Sequence, residues 1–547
     1  MAVHIETGTM QAPKKHTSKV INHLGLVSTM CDKLKIVSAI DQVIKQDQEK
    51  RLVSVGQAVK AMIINGLGFA QRALYLTPLF FQDKPVERLI GEGIQAEHLN
   101  DDTLGRALDE IYEYGPSELF TQCAIQIANT LNLNPRYGHL DSTSLHVDGE
   151  YNSNEEEQDG VIRITKGYSR DHRPDLNQLV LQLICERQSG IPLLMESISG
   201  NKSDKDSFRE TIKSHIGQLK TDFGMEYIIA DSALYVAETL KEMKDFWWIS
   251  RVPETINLAH DIIDSVAAEL MINTKEQAFC SLGAVYGDVK QHWVVVYSPE
   301  AYSRATKSVN KKVLATSESE VKKFEYLCKQ GFACEADAQQ ALIKFEKELQ
   351  STLLINTKIV SLPHFNGKGR PAKDRKPDSY SYHIDGCMAS QLQYRNSLLQ
   401  RKSCFILATN QLDNEALTPE AMIAAYKDQQ KVERGFRFLK DPLFMASTLF
   451  LKSPKRIMAL MMVMTLCLAV YAALELSIRK VLRDSNELFP NQKGKLIANP
   501  TARWVFQFFT GIHVVVVDCM NEVVLGLNEY HLLLLRLLGE PYQEIYA

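Results

Sequence analysis

The sequence of 547 residues predicts a mixed α/β fold that follows an all-helical N-terminal region. Three observations support this prediction. Residues 20–135 carry apolar side chains at helical spacing, strand-like runs begin near residue 137, and later strands alternate with helical segments. With 45% hydrophobic and 23% charged residues, the composition is typical of a globular protein with more than one domain.

The helical region, predicted as a domain over 1–135, contains three segments with clear end signals. "LVSVGQAVKAMIINGLG" ends in glycine, "NDDTLGRALDEIYEYG" begins with aspartates that can cap a helix, and "PSELFTQCAIQIANTLNLN" begins at Pro116. We expect a compact helical domain, which either binds a DNA end or contacts a partner protein.

The following segment, 136–252, has the pattern of a sheet. "YGHLDSTSLHVDG" is rich in β-branched residues, and the apolar runs "LNQLVLQLICER" and "IPLLMESISGN" are joined by "QSG", which indicates a hairpin. The strands "MEYIIADSALY" and "FWWISRVP" each follow a helical segment. Three antiparallel strands and then helix, strand, helix, strand predict a mixed sheet.

Charge and cysteine content limit the functional classes. The net charge of −4 excludes a protein that coats DNA through overall positive charge, although it allows a local basic groove. The ten cysteines are scattered without C-x2-C spacing and are expected to be reduced core residues of a cytoplasmic protein. The N-terminus lacks an apolar signal core.

One apolar run, "IMALMMVMTLCLAVYAAL" at 457–474, is at the lower length limit for a membrane span. A membrane-associated protein built around this helix is therefore one alternative. We predict a buried core helix and no membrane, because the run stands alone and follows a highly charged helix.

Three acids are candidates for catalysis: Asp141 in the first strand, Asp231 at the end of the fourth, and Glu433 in the charged helix. Each aspartate alone is explained by a turn or a helix cap. Carboxylates among apolar neighbours, however, are costly unless they are paired. Three that converge would bind a divalent metal, and two such metals can stabilise the attacking and leaving oxygens of phosphoryl transfer.

The charged segment "YKDQQKVERGFRFLK", 426–440, predicts a single helix. Steps of three and four residues place polar side chains on one face, and these are Tyr426, Gln429, Glu433, Arg437 and Lys440. Apolar side chains form the other face, and these are Val432, Phe436 and Leu439. The alternative is a solvated face with Glu–Arg pairing at i,i+4.

The chain resembles bacterial insertion-sequence transposases of the DDE type, with the nearest likeness to insertion-sequence families four and sixteen-thirty-four. The likeness rests on "GHLDSTSLHVDG" with Asp141, "GYSRDHRPDLNQL", "SGNKSD", "IIADSAL" with Asp231, and the strand "FILATN" before the last acid. It implies an RNase H-like catalytic core. In the family, the last helix carries Tyr-x2-Arg-x3-Glu-x6-Lys. Tyr426, Glu433 and Lys440 match this pattern, whereas Gln429 replaces the arginine, and Arg437 is expected to supply the missing charge.

The resemblance implies a DNA transposase that cuts and joins the ends of an insertion sequence. Asp141, Asp231 and Glu433 would hold Mg²⁺, with Mn²⁺ as a substitute. The expected partners are double-stranded DNA, as terminal inverted repeats and as target, and a second copy of the chain in a homodimer on DNA. The enzyme would then be cytoplasmic and associated with the nucleoid when bound to DNA. The alternative is a catalytically silent, transposase-derived protein that binds DNA.

The spacing between the acids predicts an insertion. Glu433 follows Asp231 by 202 residues (433 − 231), far more than a minimal sheet needs. We therefore predict an insertion over 253–402, with a hairpin in "AVYGDVKQHWVVVYSPE", one long charged helix over 322–350, and a buried Trp293. The second part of the core is predicted at 403–480 and a helical C-terminal region at 481–547.

The insertion ends in the basic segment "HFNGKGRPAKDRKPDS". Lys368, Arg370 and Lys373 are predicted to contact DNA, together with the polar face of the charged helix. "KGRP" resembles the core of a minor-groove AT-hook, and a flexible basic linker is the equal alternative.

Overall fold

The computed structural model describes residues 17–45, 51–69, 74–147, 151, 160–169, 173–367, 374–441, 451–517 and 521–547. The chain forms two compact units. Unit 1 comprises Met1–Ser250 and Glu420–Ala547, and unit 2 comprises Arg251–Pro419. The predicted domain over 1–135 shares unit 1 with the strands that follow it.

The N-terminal region is helical, as predicted. Its elements are β1 (Thr17–Val20), α1 (Leu24–Lys33), α2 (Ile36–Val43), α3 (Val55–Leu67), α4 (Thr77–Phe81), α5 (Val86–Leu89), α6 (Asp101–Tyr114) and α7 (Pro116–Leu131). Helix α3 starts with a reciprocal capping box between Ser54 and Gln57. The side chain of Asn100 caps α6 by accepting from the Thr103 amide at 3.0 Å, so the cap is this asparagine and not the aspartates after it.

The predicted mixed sheet is confirmed in unit 1. Its elements are β2 (Tyr137–His146), β3 (Gln178–Glu186), β4 (Pro192–Ser199), α8 (Asp204–Phe223), β5 (Tyr227–Ala230), α9 (Ala237–Glu242) and β6 (Trp247–Arg251). The strand order is β4-β3-β2-β5-β6. Strands β2, β3 and β4 are antiparallel neighbours, whereas β5 pairs in parallel with both β2 and β6. Strand β3 is buried along its whole length, which is consistent with its mostly apolar sequence QLVLQLICE.

Unit 2 contains the whole range predicted as the insertion, 253–402. Its elements are α10 (Asn257–Leu270), β7 (Ala278–Tyr286), β8 (Val289–Tyr297), α11 (Pro299–Lys329), α12 (Glu335–Glu348), β9 (Thr352–His364), β10 (Ser379–Ser390), α13 (Leu392–Ser403) and β11 (Cys404–Thr409). The predicted hairpin is β7–β8, and both turn residues, Gly287 and Asp288, have positive φ angles as a type I′ turn requires. Trp293 is fully buried, as predicted.

The prediction of one helix over 322–350 is wrong, because the helix breaks after Lys329. The backbone at Phe332 instead forms a β-bridge with Tyr382, and α12 starts afresh with Cys334 as its cap. A glycine at position 331 weakens the helix at this point, since glycine costs about 1 kcal/mol in a helix interior.

The C-terminal part of unit 1 surrounds one long apolar helix. Its elements are α14 (Pro419–Lys427), α15 (Gln430–Leu439), α16 (Pro454–Asp484), β12 (Phe489–Pro490), β13 (Leu496–Ile497), α17 (Ala502–Phe508), β14 (His513–Val517), β15 (Asn521–Leu525), α18 (Glu529–Leu538) and α19 (Glu540–Glu544). Helix α16 is long and apolar enough to cross a membrane, but 89% of its most apolar window is buried inside the protein. It packs on α1, α3, α6 and α7, which confirms the predicted core helix.

The C-terminal region is less helical than predicted. Strands β12 and β13 pair, and β14 and β15 form a second hairpin, to which β1 adds a third antiparallel strand. The reason lies in the valine-rich run of β14, because β-branched side chains favour extended backbone.

Candidate active site

Two of the three candidate acids lie in or directly after strands that pair in parallel, β2 and β5. Tyr137 pairs with Tyr227 and His139 with Ile229, a constant offset of 90 residues (227 − 137). Asp141 lies in β2 two residues after His139, and Asp231 follows the last residue of β5, Ala230, directly. Neighbouring strands are about 4.8 Å apart, so the chain leaves β5 at Asp231 near the part of β2 that contains Asp141.

Each aspartate is oriented by its own backbone neighbourhood. Asp141 is buried, and its Oδ1 accepts a hydrogen bond from the Ser142 amide at 2.8 Å. Asp231 Oδ1 accepts from the Ala233 amide at 2.9 Å, which closes the turn after β5. Asp231 therefore does cap a turn, as the simpler interpretation expected.

The charged segment 426–440 is two helices and not the single helix that was predicted. Helix α14 ends at Lys427 and α15 begins at Gln430, with a tight turn between them in which the Lys431 amide donates to the Asp428 carbonyl at 2.9 Å. The break leaves Tyr426 on α14 and Gln429 at the junction. Asp428 bonds to groups outside the segment, which favours the break over a continuous helix.

Helix α15 presents its apolar face to the protein and its charged face to solvent. Val432, Phe436 and Leu439 are buried, as predicted, and α15 packs on both β2 and α16. Glu433 and Arg437 are exposed. Among the described residues, neither of their side chains has a hydrogen-bond or ion-pair partner, so the predicted alternative of a Glu–Arg pair is not formed.

The remaining predicted DNA contacts are only partly accounted for by the structure. Tyr426, Gln429 and Lys440 are partly buried, and Lys440 is the C-cap of α15. Lys368, Arg370 and Lys373 lie outside the described residues. At the base of the same basic segment, Arg375 donates to the Asn366 carbonyl at 2.7 Å and pairs with Asp378 at 3.0 Å, so this arginine is engaged within its own hairpin.

In the structure, Asp141, Asp231 and Glu433 do not form one metal-binding cluster. Within the described ranges, no group of three or more His, Cys, Asp or Glu side chains is close enough to hold a metal ion. Asp141 lies in β2, Asp231 directly follows the neighbouring strand β5, and Glu433 lies in the first turn of a helix that packs on β2.

A family model described as a transposase DDE domain matches residues 135–470, more than half of the chain. The chain belongs to the transposase DDE domain family. It is therefore a DNA transposase, an enzyme that cuts and joins DNA, and enzymes with this domain generally use divalent metal ions. Residues 16–125 match a second family, described as a domain of unknown function (DUF4277).

Two further comparisons add little to this assignment. No curated protein matches the transposase by sequence. Among solved structures it is similar to the cryo-EM structure of piggyBac transposase synaptic complex with hairpin DNA, at 8% identity and a TM-score of 0.36, over 91% of this chain and 82% of that one. A TM-score this low supports no conclusion about function.

Sequence reasoning missed four residues of the transposase beside the predicted site. They are His139, Arg187, Asp428 and Lys431. Arg187 Nε donates to Asp428 Oδ2 at 2.7 Å, and Lys431 Nζ donates to the Arg187 carbonyl at 3.1 Å. The available signal was Asp428 in the middle of a predicted helix, where aspartate is unfavourable.

His139 lies on the same face of β2 as Asp141, since the two are separated by one strand repeat. It is fully buried, and in the part of the chain that the structure describes neither ring nitrogen has a hydrogen-bond partner. Burial lowers the pKa of the His139 ring to about 4, although the negative charge of Asp428 acts to raise it. The ring is therefore neutral at pH 7.

Proposed function

We propose that Asp141, Asp231 and Glu433 form the active centre of this transposase. The observation that carries the proposal is the parallel pairing of β2, which contains Asp141, with β5, which ends directly before Asp231. Glu433 supports it as the third acid, because its exposed carboxylate lies on a helix that packs on β2. In this proposal its side chain joins the two aspartates when metal and DNA bind.

The proposed metal is Mg²⁺, with Mn²⁺ as a substitute. The donor set fits, since carboxylate oxygens are the hard ligands that Mg²⁺ prefers. When bound, the metal would supply Lewis-acid stabilisation of phosphate oxygens. The three carboxylates would hold that ion and orient the scissile phosphate.

The proposed fold of the catalytic core is RNase H-like, interrupted by the insertion over 253–402. The strand order β4-β3-β2-β5-β6, with β5 parallel to β2 and β6, supports it. The proposed family is the insertion-sequence type named above, on the motifs around Asp141, Asp231 and Glu433. The substrates would be the terminal inverted repeats of the element and a target duplex.

DNA is proposed to approach along α14 and α15. Arg437 is exposed and has no side-chain partner among the described residues, so its guanidinium is available for a phosphate. Tyr426, Gln429 and Lys440 would flank it. Lys368, Arg370 and Lys373 of the basic segment would add contacts to the phosphates of the DNA backbone. Because two ends must be held at once, we propose a homodimer on DNA that is associated with the nucleoid.

The test is end cleavage by Asp141→Asn, Asp231→Asn and Glu433→Gln, each nearly isosteric and one charge short. We expect loss of cleavage on the order of 10³-fold or more, with DNA binding and thermal unfolding unchanged. Asp222→Asn is the matched control, since this exposed aspartate at the end of α8 removes the same charge away from the site. Wild-type cleavage by Asp231→Asn would refute the assignment.

A further inference from the structure

A cluster of three side chains joins the start of α15 to the turn between β3 and β4. Arg187 Nε donates to Asp428 Oδ2 at 2.7 Å. Lys431 Nζ lies 3.3 Å from Asp428 Oδ1 and 3.1 Å from the Arg187 carbonyl oxygen. Arg187, Asp428 and Lys431 are called the α15 clamp below.

The sheet side of the clamp is rigid. The Glu186 carboxylate accepts from the backbone amides of Gln188 and Ser189 at 2.8 and 2.7 Å, which ties the β3–β4 turn to itself. The Arg187 guanidinium lies over the Tyr137 ring at 5.1 Å from its centroid, at the start of β2. Arg187 is thus held in place before it contacts α15.

The clamp is partly shielded from water, so it is stronger than a surface ion pair. The side chains of Arg187 and Asp428 are 25% and 29% exposed. Burial alone would raise the pKa of Asp428, but the hydrogen bond from Arg187 and the charge of Lys431 outweigh it and hold that pKa below its ordinary value. The carboxylate is therefore charged at neutral pH.

Glu433 follows Lys431 by two residues and lies in the first turn of α15. The clamp sits where β2 begins, and Asp141 lies farther along the same strand. A helix anchored at its first turn leaves little freedom to a side chain in that turn. We propose that the α15 clamp positions Glu433 against the two aspartates, an inference that rests on the proposed role of Glu433. Arg187, Asp428 and Lys431 act through α15 and touch no reacting atom.

The experiment measures three quantities on Asp428→Asn and Arg187→Gln: DNA-end affinity in Ca²⁺, the single-turnover cleavage rate at saturating Mg²⁺, and the Mg²⁺ concentration that gives half-maximal rate. We expect affinity within about twofold of wild type and a cleavage rate lower by roughly 10- to 100-fold, because displacement by about 1 Å costs that much. The Mg²⁺ requirement should rise several-fold. Arg187→Lys keeps a cation near Asp428, so this variant should retain much more of the cleavage rate than Arg187→Gln.

Arg136→Gln is the matched control. Arg136 pairs with Glu226 at 2.7 Å and also lies over the Tyr137 ring, at 5.6 Å; among the described residues, no hydrogen bond or ion pair joins its side chain to α15. Its loss should leave the Mg²⁺ requirement and the rate unchanged. Thermal unfolding of every variant separates misfolding from mispositioning.

The experiment separates failure of the proposed clamp from failure of the proposed active centre. If Asp428→Asn and Arg187→Gln cleave with wild-type rate and Mg²⁺ dependence while Glu433→Gln is inactive, the clamp has no positioning role and the proposed active centre stands. If Glu433→Gln keeps full activity, the proposed centre fails first.

Discussion

The two sides of the candidate active site are held by different forces. Asp141 lies in β2 and Asp231 directly after β5, so the backbone ladder between these two strands places the chain at both positions. Glu433 is placed by side chains, namely the buried apolar face of α15 and the clamp at its start. The sheet side should therefore tolerate distant side-chain changes, whereas the helix side should respond to single substitutions far from the chemistry.

Removing the metal should have the largest effect, because both sides of the site are proposed to meet at it. We expect no cleavage in excess EDTA and recovery on addition of Mg²⁺ or Mn²⁺. Ca²⁺ should allow DNA binding but little chemistry, since its looser coordination positions the reacting oxygens poorly. Cleavage that persists in EDTA would show that the two sides do not meet at a metal.

The sheet side can be broken through Gly138, which pairs with Ile228 of β5. A Cβ at this position would lie 2.5 Å from Met225 Sδ and 2.9 Å from Ile184 Cγ2. Gly138→Val should lower the free energy of unfolding by about 1–3 kcal/mol through overpacking. Cleavage should fall by on the order of 100-fold if the register of the aspartates shifts by about 1 Å.

The control for that variant is Gly217→Ala in α8, where a Cβ meets no atom within 4 Å. It should raise the free energy of unfolding by up to about 1 kcal/mol, because alanine favours the helix, and leave cleavage unchanged. Chemical denaturation and single-turnover assays measure both variants. Normal cleavage by Gly138→Val would mean that the register does not control the site.

On the helix side, Arg437→Ala should reduce cleavage more than Gln429→Ala. Arg437 is exposed and charged, whereas Gln429 is neutral and partly buried at the junction of α14 and α15. A charge-assisted phosphate contact contributes about 1.5–3 kcal/mol against roughly 1 for a neutral one, a difference of roughly three- to thirtyfold in rate. Equal losses in matched assays would show that Arg437 has not replaced the family arginine.

The smallest effect is expected at the basic segment of unit 2. Lys376 is exposed, whereas Arg375 is engaged by Asn366 and Asp378. The slope of log affinity against log salt is negative, and Lys376→Ala should make it less steep by about 0.9, the value of one phosphate contact on duplex DNA. Arg375→Ala should change the slope less. An unchanged slope for Lys376→Ala would favour the linker interpretation of this segment.

Much of the fold follows from local pattern. The helical N-terminal region, the antiparallel hairpin β3–β4, the parallel strands β5 and β6 and the buried helix α16 all have strong periodicity or uninterrupted apolar runs. The errors fall where tertiary contacts override propensity. The long helices break at Gly331 and at Asp428, because a β-bridge to Tyr382 and an ion pair with Arg187 replace helix continuation there.

For the site, the sequence by itself determined which acids are available and in which elements they lie. Only the tertiary structure decided that the strand of Asp141 pairs in parallel with the strand that ends before Asp231, since strand pairing joins residues 90 positions apart and leaves no local pattern. It also decided that Arg187 anchors the helix of Glu433. The ion pair between Arg187 and Asp428 joins two partly buried side chains, which come into contact only when the hairpin turn and the helix break are both formed. The spacing of the two residues along the chain therefore does not predict it.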